Sequence, residues 1–226
     1  MNETTKIINL LFDSFWPMFK AGLIVTVPLT LISFGIGLML AFMTALMRLS
    51  KIKAFSYTAA FYVWVIRGTP LIVQLFVIFY GLPNIGIVFT PFVSAVIGLS
   101  VSQGAYNSEV IRAALLSISK GQWEATKALG MTKLKTMRYV IVPQAALVAV
   151  PSLGNSFISL LKDTSLVATL TVAEIFQIGQ QITAVKMYPL WIYMEVGLIY
   201  LIFSTALTYL QDFLEKKLGK HLVEQR

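Results

Sequence analysis

The side chains able to do chemistry in this 226-residue chain lie in or beside long apolar runs. Glu109 and Arg112 are three positions apart, so a helix would put their opposite charges on one face. With Arg67 they form a candidate charge group embedded in apolar sequence, and two readings stand: a structural pair, or a direct part in gating. Gln103, Tyr106 and Asn107 come just before, and either line a path for a polar solute or hydrogen-bond a neighbouring helix. A second polar group is Asn155, Ser156, Ser159, Lys162, Asp163, Thr164 and Ser165. Lys162 and Asp163 are adjacent, so on a helix they point different ways and need different partners. Either a zwitterionic solute supplies both charges, or both residues sit at a membrane surface. Covalent chemistry lacks its usual parts. There is no cysteine and one histidine, His221, with no Gly-x-Ser-x-Gly and no His-Glu-x-x-His. There is also no Gly-x4-Gly-Lys-Ser/Thr loop to cradle ATP phosphates, so catalytic and metal sites are not expected.

The elements that position these groups follow from composition. The chain is 57% hydrophobic and 12% charged, with a mean hydropathy of +0.78. Soluble domains carry about 25% charged residues. Half that charge cannot cover a water-facing surface, which excludes a soluble enzyme, and the apolar content excludes disorder. The expectation is an all-α integral membrane protein with no separate soluble domain, because each crossing takes about 20 apolar residues.

Five transmembrane helices are expected, near 19–47, 57–81, 91–116, 145–161 and 190–210. The second is interrupted by Arg67-Gly68-Thr69-Pro70, where Pro70 lacks a donor and disfavours helix for Thr69. It is either one kinked helix or an interfacial helix followed by a short span. Residues 167–188 alternate apolar and polar groups at helical spacing, as in an amphipathic helix on the outer surface or one packed on the core. Of the 18 Lys and Arg, 13 fall in 48–56, 112–144 and 211–226, which places those segments in the cytoplasm, the N-terminus outside and the C-terminus inside.

The longest polar stretch holds a two-helix elbow at 120–143. Gln122 to Leu129 are good helix formers that stop at Gly130, a residue suited to a left-handed C-terminus. Thr132 can cap a second short helix, which Pro143 is expected to bound. Glu124-Ala125-Thr126, then Gly130 and Val140-Ile141-Val142-Pro143 stand at the spacing Glu-Ala-Ala, three residues, Gly, nine residues, Ile-x-Leu-Pro. That pattern resembles the EAA signature of ABC-importer permeases. Arg67-Gly68-Thr69-Pro70-Leu71, Tyr106-x-x-Glu109-x-x-Arg112, Gly121-Gln122-Trp123-Glu124 and Lys162-Asp163-Thr164-Ser165-Leu166 extend the likeness along the chain. Together they resemble the polar amino-acid uptake group of histidine, glutamine, arginine and cystine-type permeases.

The resemblance implies a type I importer permease fold in a bacterial cytoplasmic membrane. It implies that the elbow, with Gly121, Glu124, Ala125, Thr126, Gly130 and Pro143, couples to a cytoplasmic ATPase that holds ATP and magnesium. It further implies a second permease subunit, two ATPase subunits and an extracytoplasmic solute-binding protein docked near residues 167–188. Ser14-Phe15-Trp16-Pro17-Met18 and the run Phe157 to Thr164 look most like cystine-type permeases. A self-sufficient ion-coupled carrier or channel is the alternative. It would need an intramembrane acid such as Glu109 or Glu195 and leaves the elbow unexplained.

Overall fold

A computed structural model describes residues 3–223, with side chains through Lys217; the side chain of His221 lies outside the described set. Every described element is a helix or a helical turn. The chain opens with one rod, Glu3–Arg48, built from α1 (Glu3–Ala21), a π-turn (Gly22–Thr26) and α2 (Val27–Arg48). The helix therefore begins well before the apolar run at residue 19. Its first half is amphipathic, with Leu10, Ser14, Met18 and Ala21 buried at roughly four-residue spacing. That face packs on the elements described last, while Leu31, Ile32, Met39 and Met43 of α2 point outward.

After α3 (Lys53–Gly68), the backbone at Thr69 and Pro70 is extended and α4 (Leu71–Phe76) departs at 105°. Such a turn is too sharp for one gently kinked rod, so the arm is two helices that meet at a break. The Gln74 amide donates to the carbonyls of Ile66 (2.8 Å) and Thr69 (3.1 Å), which the break would otherwise orphan. A π-turn (Val77–Gly81) and a 3₁₀ turn (Leu82–Ile85) complete this arm.

Thr90 caps α5 (Pro91–Leu116), whose polar residues keep it out of the set of helices long and apolar enough to cross a membrane by composition. At 26 residues it is still about 39 Å long. Its polarity is spent inside the protein. Ser94, Ser100, Gln103, Asn107 and Ser108 are buried, and α2 runs along α5 as the most extensive helix pairing in the molecule. Gly37 permits this approach: a Cβ there would stand 2.7 Å from the Cβ of Gln103.

The elbow helices α6 (Lys120–Ala128) and α7 (Lys133–Thr136) follow. A π-turn (Met137–Ile141) leads straight into α8 (Val142–Asp163) and a 3₁₀ turn (Thr164–Leu170). Pro143 thus does not end a short helix, as the sequence suggested; it lies in the first turn of α8, inside the continuous helical segment Lys133–Leu170, two residues beyond a widened turn that accommodates its ring. The three π-turns each end two residues before a proline: Thr26 and Pro28, Gly81 and Pro83, Ile141 and Pro143. A proline ring clashes with the carbonyl four residues back, and in each case that carbonyl lies within the widened turn.

The chain closes with α9 (Ile175–Lys186) and α10 (Pro189–Val223). Ile175 and Gly179 of α9 are buried, so one face packs on α1 and α10 while Gln180, Gln181 and Val185 face out. Met18, Leu161, Ile175, Ile192 and Val196 form the core there. A second core gathers Leu29, Leu75, Leu99 and Leu160, and a third, nearest the elbow, Leu115, Ile141, Ala145 and Ala149.

Candidate functional site

The elbow turns on one backbone motif. Gly130 adopts φ +68°, its N–H donates to the Lys127 carbonyl, and the Met131 N–H reaches the Thr126 carbonyl, both at 3.0 Å. This pair of bonds is the Schellman arrangement, which satisfies the last carbonyls of α6. Thr132 then caps α7 by accepting from the Lys135 N–H. Thr126 is buried and donates to the Trp123 carbonyl, whereas Gly121, Glu124 and Ala125 are exposed. The two faces of α6 are thus distinct. At the turn itself Leu129 and Leu134 are each 78% exposed, so both apolar side chains are left largely uncovered by the described residues. Pro143 is exposed, in the first turn of α8 beyond the π-turn.

Glu109 accepts from Arg112, whose Nε lies 3.3 Å from Oε1 and 3.1 Å from Oε2 and whose Nη2 lies 2.7 Å from Oε2. Arg48, at the end of α2, approaches the same carboxylate at 3.6 Å. Arg67 is not in this contact; its guanidinium lies over the Tyr106 ring, 5.4 Å from the centroid. Arg48 escaped the sequence reading because a basic residue ending an apolar run looks like any loop charge.

Gln103 and Asn107 are separated from Tyr106 by the helix itself. Asn107 donates to Gln103 at 3.0 Å within the α2–α5 seam, while Tyr106 is 47% exposed. On α8, Ser152, Asn155, Ser159 and Lys162 are all exposed, at spacings of three, four and three residues. They form one polar stripe along a helix whose other faces are largely apolar. Ser156 and Asp163 are half-buried beside it. Thr164 is buried and donates to Leu161, and the Ser165 hydroxyl donates to Lys162.

Two buried carboxyls were not singled out as partners by the sequence. Glu195 of α10 accepts from Ser14 of α1. Glu174 caps α9 by accepting from the Gln177 N–H at 2.9 Å and also accepts from the Tyr200 hydroxyl. Burial pushes the Glu174 carboxyl above the usual carboxylate range, against the hydrogen bonds from Tyr200 and the α9 backbone. Both acids are thereby fixed between helices. Among the described residues, no group of three His, Cys, Asp or Glu could hold a metal ion.

Residues 33–220 match the model of the binding-protein-dependent transport system inner membrane component. The chain belongs to that family. The L-cystine transport system permease protein TcyB of Bacillus subtilis is 46% identical over 96% of this chain and 93% of its own. The arginine transport system permease protein ArtQ of the same organism is 35% identical, over 89% and 93%. Among solved structures, an amino acid ABC transporter with histidines superposes with a TM-score of 0.85 at 36% identity, over 91% of this chain and 96% of that one. The MetNI methionine ABC transporter, at 22% identity and TM-score 0.70, shares the fold. As a permease of this family, the chain is the membrane subunit of an amino-acid importer. It is not an enzyme; ATP hydrolysis belongs to a separate partner.

Proposed function

We propose that this permease carries L-cystine, crosses a bacterial cytoplasmic membrane five times, and has its N-terminus outside and its C-terminus in the cytoplasm. The crossings are the Glu3–Arg48 rod, the bent α3–α4 arm, α5, the Lys133–Leu170 segment and α10. The concentration of 13 of the 18 basic residues in segments 48–56, 112–144 and 211–226 supports the orientation. The 46% identity to the cystine permease, against 35% to the arginine one, supports the substrate.

The observation that carries the coupling role is the elbow, a rigid helix–turn–helix that exposes Glu124, Ala125, Leu129 and Leu134 and buries Thr126. Glu124 offers a charged contact to the ATPase, Ala125 and Gly121 allow close approach, and Gly130 makes the turn. Because α7 runs through the π-turn and Pro143 into α8, a push on the elbow is delivered to the helix bearing the Asn155–Ser159–Lys162 stripe. That stripe and Tyr106 line half a path, and a second permease subunit supplies the other half. Lys162 and Asp163 with Ser165 meet the substrate's carboxylate and ammonium groups, while Gln103, Asn107 and Thr164 hold the wall behind. The Arg48–Glu109–Arg112 group ties α2 to α5, so the pair moves as one body. Two ATPase subunits drive the elbows, and a solute-binding protein delivers substrate beside α9. Transport is alternating access: ATP shifts the population between states that expose the path to opposite sides, with no covalent step on this chain.

The test is uptake of labelled L-cystine by cells whose only cystine importer is this one, together with purification of the tagged chain. Wild type should take up cystine and retain a P-loop ATPase in about equal amount; Glu124→Lys should insert but lose both. Normal uptake by that variant overturns the coupling role of the elbow. Retained ATPase with uptake of another amino acid instead overturns the substrate.

A further inference from the structure

Between the elbow and the ends of α2 and α5 lies an open cavity of about 790 Å³, whose lining shares only the buried Thr126 with the elbow's coupling residues and none with the substrate path. Its walls are apolar: Leu46 and Leu49 from the end of α2, Leu115 and Leu116 from the end of α5, and Met131 and Met137 from the elbow. Its rim carries three lysines, Lys120, Lys127 and Lys133, and no acid lines it. Among the described residues the ion pairs are those of Glu109 with Arg112 and Arg48, so none of these lysines has a carboxylate within 4.0 Å. Trp123 also faces the cavity.

We propose that this cavity binds an anionic phospholipid of the cytoplasmic leaflet, its phosphate held by Lys120, Lys127 and Lys133 and its upper acyl chain against Leu46, Leu49 and Leu116. The inference rests on the orientation proposed above, which sets the ends of α2 and α5 at headgroup height. Charge complementarity picks the occupant. Three unpaired ammonium groups ringing a greasy wall match a ligand with an anionic head and a hydrocarbon tail. An indole at that level suits an interfacial ligand as well. The ATPase has a separate surface, because Glu124, Leu129 and Leu134 do not line the cavity. A lipid seated there bridges α6 to the bundle and stiffens the joint through which the elbow moves α8.

The experiment uses the complex of this permease with its ATPase in nanodiscs, with Trp16, Trp64 and Trp191 of this chain replaced by Phe and any tryptophans of the partner subunits likewise replaced, so that Trp123 alone reports. Brominated phosphatidylglycerol or brominated phosphatidylcholine is titrated in, and quenching of Trp123 is read. Phosphatidylglycerol should quench at a far lower mole fraction than phosphatidylcholine. The triple variant K120Q/K127Q/K133Q should weaken that preference about 100-fold, at roughly five-fold per lysine. The arginine triple variant should restore it, and K51Q/K53Q, charges at the same membrane face outside the cavity, should leave it intact. Equal quenching by both lipids, or a preference indifferent to the triple variant, overturns the lipid site. A preference present in the isolated permease and abolished when the ATPase binds also overturns it, giving the cavity to the ATPase. The ATPase retained in the same preparation reports separately on the elbow: its presence without lipid preference refutes only the lipid, and its absence refutes the coupling role.

Discussion

Replacing Gly37 by alanine tests whether the α2–α5 seam holds the molecule together. The new Cβ would lie 2.7 Å from the Gln103 Cβ and 3.2 Å from the Ser100 carbonyl oxygen. Carbon atoms rest at about 3.5–4.0 Å. Both neighbours are fixed by backbone, so no rotamer change relieves the contact, and the two helices must separate by about 1 Å. Overpacking of this kind costs about 1–3 kcal/mol. Taking about 2 kcal/mol, a chain of this size loses about 4–8 °C in Tm. Gly35 is the internal control, two residues along the same helix, where an added methyl group would meet nothing within 4 Å. There alanine gains helix propensity, up to about 1 kcal/mol, and should be neutral or stabilising. The assay is thermal unfolding of both purified variants in one detergent, followed by loss of the monodisperse species. A Gly37→Ala melting point within about 1 °C of the Gly35→Ala value would refute the close-packed seam, since the expected loss is several times larger.

Glu109→Gln leaves Arg112 and Arg48 without their shared anion and should destabilise by about 1–3 kcal/mol, with Arg112→Gln showing strong coupling to it in a double-mutant cycle on the same unfolding signal. Gly130→Val forces a β-branched residue to φ +68° at a cost of about 1–2 kcal/mol, and should cut ATPase recovery about ten-fold while the chain still inserts, as read by pull-down and membrane fractionation. Glu174 has its folded-state carboxyl raised by burial, so its contribution to stability is fully present below the ordinary carboxylate value of about 4.3 and is lost as pH rises toward the folded value. Glu174→Gln should flatten that decline, seen as a smaller difference in Tm between acidic and alkaline buffers.

Local chemistry was legible in the sequence wherever one residue decides an element. Thr90-Pro91 starts α5 as a cap and first turn should, and Gly130 marks the end of α6 because only a left-handed residue completes its carbonyls. Burial spacing in α1 was also present, in Leu10, Ser14 and Met18, but the polar residues between them masked it from a search for continuous apolar runs. Pro143 shows the opposite failure. A proline ends a helix or begins one, and the choice here depends on a widened turn that composition does not announce. The break at Gly68–Pro70 was visible, yet its 105° direction is set by distant contacts: the Tyr62 hydroxyl on the Val101 carbonyl at 2.6 Å, and Leu75 against Gly98. Arg48 beside Glu109, Ser14 beside Glu195 and Tyr200 beside Glu174 are long-range pairings, for which a single sequence carries no spacing rule.

The π-turn at Met137–Ile141 sets an angle. An α-helix advances about 100° per residue, and a π-turn holds one residue more than the α-turn it replaces. Everything after it is therefore rotated by about 100° about the axis, relative to an unbroken helix with one residue fewer. Upstream stand Leu134 and the elbow; downstream stand Asn155, Ser159 and Lys162. The azimuth between the proposed coupling surface and the proposed solute-facing stripe is fixed by one surplus residue beside Pro143. Deleting a single residue from 137–141 would leave both ends intact in composition and turn the crank a quarter-revolution out of phase.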